Sequence, residues 1–504
     1  MKQILQDLKT GETFLEELPI PQLGKRSVLI KTHYSLVSIG TEKMLVEFGR
    51  ASLIEKARKQ PDKVLQVLDK LKTDGVLPTL QAVFNKLGEP IPLGYCNAGR
   101  VIAIGREVTE FSVGERVASN GPHAEIISVP VNLVSKIPDT VTDEDATFTV
   151  IGSIGLQSIR LLKPTIGETI VVFGLGLIGL ITGQLLKANG CKVIGIDLNK
   201  KKCEIARKLG FIAINPRNSD SVKSVIDLTD QIGADGVLIT ASSKSNDIIA
   251  ESAQMSRKKG RIILVGVVGL SINRADFYEK ELSFQVSCSY GPGRYDSTYE
   301  QKGIDYPLPF VRWTQNRNFE AMLELIRNGS IQTKDLITEK YFLSEYNKIY
   351  TNIDSANLIA ALLIYPDLPK IRLDQYTITL NQSVSKKDKR IIGIIGAGNF
   401  SRSTLLPTLK NIGVEIKYIA SSGGLSGTQL AKKYRIKKTT TDYTELLNDK
   451  EVDTIIIATP HNSHAKLVIE SISSGKDTFV EKPLALNNEE LKEIQKIVKK
   501  NASS

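Results

Sequence analysis

The 504-residue chain is poor in cysteine, and it lacks the sequence features of several protein classes. No two of its four cysteines, Cys96, Cys191, Cys203 and Cys288, form a CxxC pair. This dispersion argues against a disulfide framework and a structural zinc lobe, and reduced thiols are expected. The first residues, MKQILQDLKTGE, carry charges where a signal peptide needs an apolar core, so we expect a cytoplasmic protein.

The chain also lacks a basic nucleic-acid surface and an uninterrupted apolar span. Its net charge of +11 comes largely from scattered lysines, with no stripe that alternates with stacking aromatic residues, which disfavours nucleic-acid binding. The uncharged stretch Thr169–Leu186 is long enough for a membrane helix, but glycines interrupt it and its first half is β-type. No membrane insertion is expected. The length predicts three domains at about 150 residues each.

What the chain does contain is a strand, a glycine-rich turn, a helix and a second strand within about 30 residues. An apolar β run, Thr169–Phe173, leads into GLGLIG at 174–179, and a helical stretch extends to Ala188. A second β run, Lys192–Ile196, is followed by Asp197. This spacing is typical of a βαβ unit that binds a dinucleotide.

Each position in this unit has a physical role in dinucleotide binding. Gly174 allows the tight turn, Gly176 lets the backbone approach a pyrophosphate, and Gly179 lets the helix pack on the strand. The helix N-terminus attracts the phosphates, and Asp197 accepts the ribose hydroxyls. Lysines at 200–202 would suit a 2′-phosphate that Asp197 would repel, so NAD is favoured over NADP. The predicted contacts, unless the fold has lost its ligand, are Gly174, Gly176, Leu177, Ile178, Gly179 and Asp197.

The surrounding segments resemble one family. The pattern PxxLGxxxAGxVxxxG begins at Pro90, FxVGERV follows at Phe111, and AExxxVP follows at Ala124. With a linking helix at 143–162 and the dinucleotide unit, this order resembles the medium-chain dehydrogenase/reductases, the relatives of zinc alcohol dehydrogenase. The resemblance covers about residues 1–365.

The resemblance implies a GroES-like barrel whose last part is residues 290–365, with an active site in the cleft against the Rossmann domain. In that family the segments after the later Rossmann strands flank the nicotinamide. The residues in those segments here are Ala241 and Val267, which are therefore candidate backbone contacts of the cofactor.

The chain departs from this family at the catalytic zinc. The family's ligands are a Cys after the first barrel strand, a His-Glu pair after the LG, and a residue near the linking helix. The residues found here are Ser38, Tyr95-Cys96 and Val150 or Ile151. A lone cysteine and a tyrosine cannot make a tetrahedral site of nitrogen and sulfur ligands, so no metal is expected.

Without a metal, side chains must polarise a carbonyl or accept a hydroxyl proton. The resemblance places Tyr95, Ser38 and Thr41 where they would face the nicotinamide, and a phenol with a lowered pKa could act as acid and base. An equal alternative is that Tyr95 fills the vacated metal position by packing alone. His33 and His123 are interpreted as packing residues.

The loop at 289–318 concentrates tyrosines, arginines and the only tryptophan. Guanidinium groups bind phosphate and aromatic rings stack, so this composition suits a phosphorylated or sugar substrate. A stiff loop packed on the barrel is an equal alternative. The candidate substrate residues are Arg294, Tyr295, Arg312 and Trp313. The stretch also resembles bidomain oxidoreductases of bacterial surface-polysaccharide functions.

A second βαβ unit follows at 390–420. The strand Arg390–Ile395 leads into GAGNFS at 396–401, where Ser401 occupies the usual place of a third glycine or alanine. The second strand ends in Ser421-Ser422, with no acid, so NADP is possible at this unit.

Two further motifs, ATPxxxH at 458–464 and EKP at 481–483, resemble the nucleotide domain of the Gfo/Idh/MocA family. In that family the EKP lysine, here Lys482, reaches the nicotinamide and the substrate, which makes it a candidate catalytic residue. The implied cofactor contacts are Gly396, Gly398, Asn399, Phe400, Thr459, Pro460, Glu481 and Lys482. One helix follows EKP where the family has a substrate lobe, so this domain is expected not to be independently catalytic.

The sequence therefore predicts an α/β protein with a GroES-like barrel and a Rossmann domain, followed by a second Rossmann domain. The predicted units are the first part of the barrel (1–142, with a helical insertion at about 51–86), the Rossmann domain (143–288), the barrel completion and substrate loop (289–366), a linker (367–389) and the second Rossmann domain (390–504).

The predicted function is zinc-free, NAD(P)-dependent oxidation or reduction of a sugar-type alcohol or carbonyl, in surface-polysaccharide biosynthesis. A non-catalytic dinucleotide-binding scaffold and a quinone or enal reductase are the alternatives. A homodimer is the default expectation for a medium-chain fold.

Overall fold

A computed structural model describes residues 1–51, 55, 89–243, 245–355, 357–366, 375–381 and 390–502. The predicted helical insertion at about 51–86 lies outside these residues, apart from Ala51 and Glu55. None of the described helices is both long and apolar enough to span a bilayer.

The first part of the chain forms a barrel from antiparallel strands. Its elements are β1 (Lys2–Gln6), β2 (Thr13–Glu17), β3 (Ser27–Ser38), α1 (Ile39–Arg50), β4 (Ile91–Pro92), β5 (Asn97–Ile104), β6 (Arg116–Ser119), β7 (Ile126–Pro130) and β8 (Val134–Lys136). The long strand β3 pairs with β5 and β7, and a small sheet in the order β2-β1-β4 lies beside it. Apolar side chains of β3, β5 and β7 form the barrel core.

A Rossmann domain follows. Its elements are α2 (Asp143–Ala146), α3 (Thr149–Leu162), β9 (Thr169–Phe173), α4 (Leu177–Ala188), β10 (Lys192–Ile196), α5 (Lys200–Lys208), β11 (Ile212–Ile214), α6 (Ser221–Leu228), β12 (Ala234–Ile239), α7 (Asp247–Met255), β13 (Ser256–Leu264), α8 (Arg274–Tyr278) and β14 (Ser283–Val286). The parallel sheet has the order β11-β10-β9-β12-β13-β14. This order reverses at β9, so the carboxyl end of β9 is where a dinucleotide binds in such sheets.

The chain then returns to the barrel. The elements of this return are α9 (Ser297–Glu300), α10 (Gln315–Arg327), β15 (Ile337–Phe342), α11 (Tyr346–Thr351) and β16 (Ala360–Ile364). Strand β16 pairs antiparallel with β3, from Ala360 opposite Ser38 to Ile364 opposite Tyr34. The helices α3, α4 and α10 pack together and join the barrel to the Rossmann domain through one apolar cluster.

A second six-stranded sheet, flanked by helices, completes the described chain. Its elements are β17 (Thr377–Thr379), β18 (Ile391–Ile395), α12 (Leu406–Ile412), β19 (Glu415–Ala420), α13 (Leu425–Tyr434), β20 (Lys438–Thr440), α14 (Thr444–Asn448), β21 (Thr454–Ile457), α15 (His464–Ser473), β22 (Asp477–Val480) and α16 (Asn488–Ala502). The order is β17-β20-β19-β18-β21-β22, parallel except for β17. Strand β17 lies in the segment that the sequence predicts as a linker, so part of that segment belongs to the second domain.

Helix α1 follows β3 without an intervening loop. Its first turn is Ile39–Glu42. The Glu42 carboxylate accepts a hydrogen bond from the Ser38 N–H at 2.9 Å, which satisfies a backbone donor at the helix start. This contact starts the helix directly where β3 ends.

Candidate active site

The glycine turn between β9 and α4 is shaped to admit a ligand. Gly174 has a φ of +101°, and a Cβ there would lie 2.6 Å from the Ala241 nitrogen. A Cβ on Gly179 would collide with the Gly174 carbonyl oxygen, whereas one on Gly176 would meet nothing within 4 Å. Protein atoms therefore crowd the turn at Gly174 and Gly179, whereas the space at Gly176 is open. This open space lies in front of the N-terminus of α4, whose first residues are Leu177 and Ile178.

Asp197 is held beside this turn. Its carboxylate accepts hydrogen bonds from the N–H groups of Leu175 and Asn199, both at 2.8 Å. The Asn199 side chain in turn accepts from the backbone N–H groups of Lys201 and Lys202 at the start of α5. The acidic side chain is thus fixed at the tip of β10, next to the open side of the glycine turn.

The segments after β12 and β13 lie beside the same turn. The Thr240 hydroxyl donates to the Gly174 carbonyl oxygen at 2.6 Å, and the Ala241 N–H donates to the Phe173 carbonyl oxygen at 3.0 Å. Val267 is paired with the segment after β12, since the Ser243 N–H donates to its carbonyl oxygen at 2.9 Å. Ala241 and Val267 therefore border the mouth of the glycine turn together.

Three of the predicted catalytic residues lie together on the barrel side. The Thr41 and Tyr95 hydroxyl oxygens are 3.2 Å apart, and the Ser38 hydroxyl also interacts with the Tyr95 phenol. Burial raises the pKa of Tyr95 above its ordinary value, and the nearby Cys96 thiol raises it further, against the hydroxyls of Ser38 and Thr41. The lowered pKa on which an acid and base role for Tyr95 was made conditional is therefore not found: Tyr95 is a neutral phenol that holds its proton more tightly than an exposed one.

A buried polar network supports this cluster from behind. The side chains of Glu42 and His123 are 1% and 0% exposed, and His123 Nε2 lies 3.2 Å from both carboxylate oxygens of Glu42. Tyr350 donates to Glu42 at 2.6 Å, and Ser35 lies 2.7 Å from His123 Nδ1. Sequence reasoning missed Glu42, although a glutamate directly after Thr41 and a histidine before a barrel strand were visible signals.

The described residues do not fit a zinc ion at this position. No group of three or more His, Cys, Asp or Glu side chains in the described ranges could hold a metal. Burial and the Glu42 carboxylate raise the pKa of the Cys96 thiol. A lone cysteine beside a tyrosine also lacks the nitrogen and sulfur ligands of a tetrahedral zinc site. His123 is occupied by Glu42 and Ser35, and His33 binds Asp143 at 2.7 Å.

The second nucleotide fold has a similar turn with one substitution. Gly396 has a φ of +113°, and a Cβ on Gly398 would meet nothing within 4 Å. The Ser401 hydroxyl donates to the Gly396 carbonyl oxygen at 2.7 Å, so a buried serine fills the place of the third glycine. Asn399 and Phe400 lead from this turn into a π-helical turn at Ser401–Leu405.

One histidine joins the two later motifs of this fold. The ring nitrogens of His464 lie 2.9 Å from the Thr459 carbonyl oxygen and 2.7 Å from the Pro483 carbonyl oxygen. The loops that carry Thr459-Pro460 and Glu481-Lys482 are therefore held against each other. Lys482 is exposed after β22 of the second fold, whereas Ser38, Thr41 and Tyr95 belong to the barrel part of the chain.

The segments that follow β19 and β20 of the second fold lie against the barrel. The Gln22 N–H donates to the Ser422 carbonyl oxygen at 2.8 Å, and the Thr441 hydroxyl donates to the Ile20 carbonyl oxygen at 2.5 Å. Arg402, in the helical turn after the glycine motif, forms an ion pair with Glu89. These contacts fix the second domain on the barrel.

The substrate loop at 289–318 is more ordered than its glycines and prolines suggested. Helix α9 begins at Ser297, because the Asp296 carboxylate accepts from the N–H groups of Thr298 and Tyr299. Arg294 pairs with Glu300 at 2.8 Å and stacks on Tyr295, so its charge is already compensated, and Tyr295 is 76% exposed.

Tyr290 is a buried residue of this loop. It packs in the same apolar cluster as Cys96 and Tyr95, whereas Arg312 and Trp313 lie with Arg160 of α3. The structure therefore divides the four predicted substrate residues between two places in the loop.

Two family sequence models match the chain. Residues 178–302 match the zinc-binding dehydrogenases, and residues 390–503 match the Gfo/Idh/MocA oxidoreductase family, which has an NAD-binding Rossmann fold.

Among curated relatives, D-guloside 3-dehydrogenase of Escherichia coli (strain K12) is 30% identical over 258 residues, which cover 49% of this chain and 68% of that protein. Sorbitol dehydrogenase of Bacillus subtilis (strain 168) is 25% identical over 317 residues, 55% of this chain and 82% of that protein.

Solved structures share the fold of the first two units. Alcohol dehydrogenase TADH from Thermus sp. ATN1 superposes with a TM-score of 0.56 at 19% identity, over 73% of this chain and 100% of that chain. Galactitol-1-phosphate dehydrogenase from Escherichia coli gives a TM-score of 0.56 at 18% identity, over 72% and 100%. The predicted GroES-like and Rossmann architecture is confirmed. The chain belongs to the zinc-binding dehydrogenase family of medium-chain oxidoreductases, extended by a Gfo/Idh/MocA-type Rossmann domain, and is an NAD(P)-dependent alcohol oxidoreductase.

Proposed function

We propose that this oxidoreductase interconverts a secondary alcohol and a ketone on a sugar or sugar derivative, with NAD and without zinc. The observation that carries the proposal is the 3.2 Å contact between the Thr41 and Tyr95 hydroxyls, in the region where the family's metal would lie. The relatives named D-guloside 3-dehydrogenase and sorbitol dehydrogenase support a sugar-type substrate.

In this proposal side chains of the chain, in place of a metal ion, interact with the carbonyl oxygen of the substrate. A bound nicotinamide dinucleotide would supply the hydride to the carbonyl carbon. In the reductive direction Tyr95 donates its phenolic proton to the carbonyl oxygen, so that one hydride and one proton complete the alcohol. Thr41 and Ser38 orient the phenol, and Glu42 with His123 holds the first turn of α1 on which Thr41 sits.

The cofactor preference follows from Asp197. Its carboxylate is fixed by two backbone N–H groups at the tip of β10, where it would accept both hydroxyls of an adenosine ribose. A 2′-phosphate there would meet this negative charge at close range, so we propose NAD at the first fold.

The substrate class is a sugar or sugar nucleotide of surface-polysaccharide assembly. Its polar groups would lie beside Tyr290, Arg294 and Tyr295, the part of the substrate loop that approaches Cys96 and Tyr95. The Arg294–Glu300 pair suits hydroxyl groups better than a free anion, because the guanidinium charge is already compensated.

The test is hydride transfer by the full chain, stripped of metal with a chelator, from NADH to a panel of keto sugars and keto sugar nucleotides. Tyr95→Phe should lower kcat by about 10² or more while NADH affinity is retained. Tyr278→Phe, at an exposed tyrosine of α8, is the matched control and should leave the rate unchanged. Equal rates in Tyr95→Phe and the unmodified chain would remove the phenol from the mechanism.

A further inference from the structure

The single tryptophan of the chain lies between two arginines. The guanidinium carbon of Arg160 is 3.5 Å from the centroid of the Trp313 ring, and that of Arg312 is 4.0 Å from it. Two planar groups this close to one centroid cannot share a face of the ring, so the two guanidiniums stack on opposite faces. Two positive charges are thereby held on either side of one ring.

Neither guanidinium has a carboxylate partner in the part of the chain that the structure describes. The Arg160 Nε–H donates to the neutral Asn318 Oδ1 at 2.7 Å, and Arg312 is exposed. Other half-buried arginines each pair with an Asp or Glu: Arg26, Arg116, Arg257, Arg261, Arg294 and Arg317. The Arg160–Trp313–Arg312 stack is thus a concentration of charge that the described fold leaves without a counter-ion.

The stack is also built into the fold. Asn318, which is fully buried, donates its side-chain N–H to the Tyr290 carbonyl oxygen at 2.9 Å while its oxygen holds Arg160. Burial and the charge of Arg312 lower the pKa of Arg160 to about 10, which is the electrostatic cost of placing two cations together. An anion bound between them would relieve this cost.

The stack is distinct from the hydroxyl cluster. Cys96 contacts the start of α3 through the Ile151 backbone, whereas Arg160 lies nine residues later on the same helix. At about 1.5 Å per residue, this places Arg160 about 14 Å farther along the helix axis.

We propose that Arg160, Trp313 and Arg312 form a binding site for a phosphate group, separate from the site of hydride transfer. Each guanidinium offers N–H groups in a fixed plane that match phosphate oxygens, and one phosphate at the edge of the ring can accept from both. The phosphate is either that of free inorganic phosphate or that of a phosphorylated sugar whose remainder extends toward Tyr290.

The test uses Trp313 as its own reporter, since it is the only tryptophan in the chain. Inorganic phosphate is titrated into the full chain while tryptophan emission is recorded, against potassium chloride at matched ionic strength. A saturable change with phosphate alone is expected, and Arg312→Gln should weaken binding by about tenfold or more. Arg274→Gln is the matched control, because Arg274 is stacked on Tyr278 at 4.0 Å without a second cation.

The outcomes separate clearly. A phosphate response that does not saturate, or one that is equally strong in Arg312→Gln, overturns the proposal. Arg160→Lys, which keeps one charge but loses the planar fork, should weaken phosphate binding and should not unfold the chain. Because emission does not depend on turnover, this result stands apart from the test of the Tyr95 mechanism.

A second arm identifies the source of the phosphate. If the site holds a substrate's phosphate, Arg312→Gln raises KM for a sugar phosphate and leaves KM for the unphosphorylated sugar unchanged. If it holds free phosphate, both KM values are unchanged while inorganic phosphate still alters the emission. Both results support the site, and unchanged KM values without an emission response contradict it.

Discussion

Burial keeps the Tyr95 phenol in its neutral form. The pKa of this group lies above its ordinary value of 10.0, so the proton that Tyr95 donates is present at every pH below that raised value. We therefore expect the rate of carbonyl reduction to stay constant as pH rises through 10, where an exposed phenol would be half ionised. A pH profile of kcat measures this, and a fall centred at or below pH 10 would contradict it.

Glu42 is the second residue whose replacement should be costly. Its carboxylate is 1% exposed and accepts from Ser38 and Tyr350 while it contacts His123. Glu42→Gln should lower the free energy of unfolding by about 3–5 kcal/mol, because the buried partners lose a charged acceptor. Tyr350→Phe removes one of these donors and should cost about 1.5–3 kcal/mol.

Denaturant unfolding of the two variants measures both values. If Glu42→Gln costs no more than Tyr350→Phe, the other contacts of the carboxylate contribute little. Loss of carbonyl reduction in Glu42→Gln at a temperature where the chain remains folded would show that the network also positions Thr41 and Tyr95.

At the scale of elements, the space around each glycine of the turn between β9 and α4 determines the effect of a substitution there. Gly176→Asp should abolish NADH binding, because it places a carboxylate where the pyrophosphate of a bound cofactor would lie, yet it should leave the melting temperature nearly unchanged since the position is open. Gly179→Ala should instead destabilise the fold, because its Cβ collides with the Gly174 carbonyl oxygen. Calorimetric titration and thermal unfolding of both variants separate the two effects, and unchanged NADH affinity in Gly176→Asp would contradict the binding assignment.

The elements around this turn were the most predictable part of the sequence. Residues Thr169–Phe173 and Lys192–Ile196 form strands with the bounds that the apolar pattern indicated, because alternation and glycine spacing are local signals. Helix α1 was not predicted, because the Glu42 carboxylate that accepts at its start is held by Tyr350, which lies 308 residues away in sequence. The Glu42–His123 and Arg160–Trp313 contacts also join residues far apart in sequence, and periodicity carries no information about such pairs.

At the scale of the whole molecule, two glycine turns predict two dinucleotide sites per chain. Titration of the full chain with NADH and NADPH should give two sites, of which Gly176→Asp removes the first and Gly398→Asp removes the second. Gly398 is the matched position, since a Cβ there also meets nothing within 4 Å. A single site that Gly176→Asp eliminates would leave the second fold without a nucleotide role.

The docked second domain has a further consequence for how the protein can be divided. Strand β17 pairs with β20 from Thr377 opposite Thr440 to Thr379 opposite Lys438, and so covers an outer edge of the second sheet. A fragment that begins at residue 390, where the family match starts, would expose that edge to pairing with other chains. Such a fragment should aggregate, whereas one that begins before Gln375 keeps its own edge strand. A fragment that contains the second domain alone should therefore begin before Gln375, upstream of residue 390, where the family match starts.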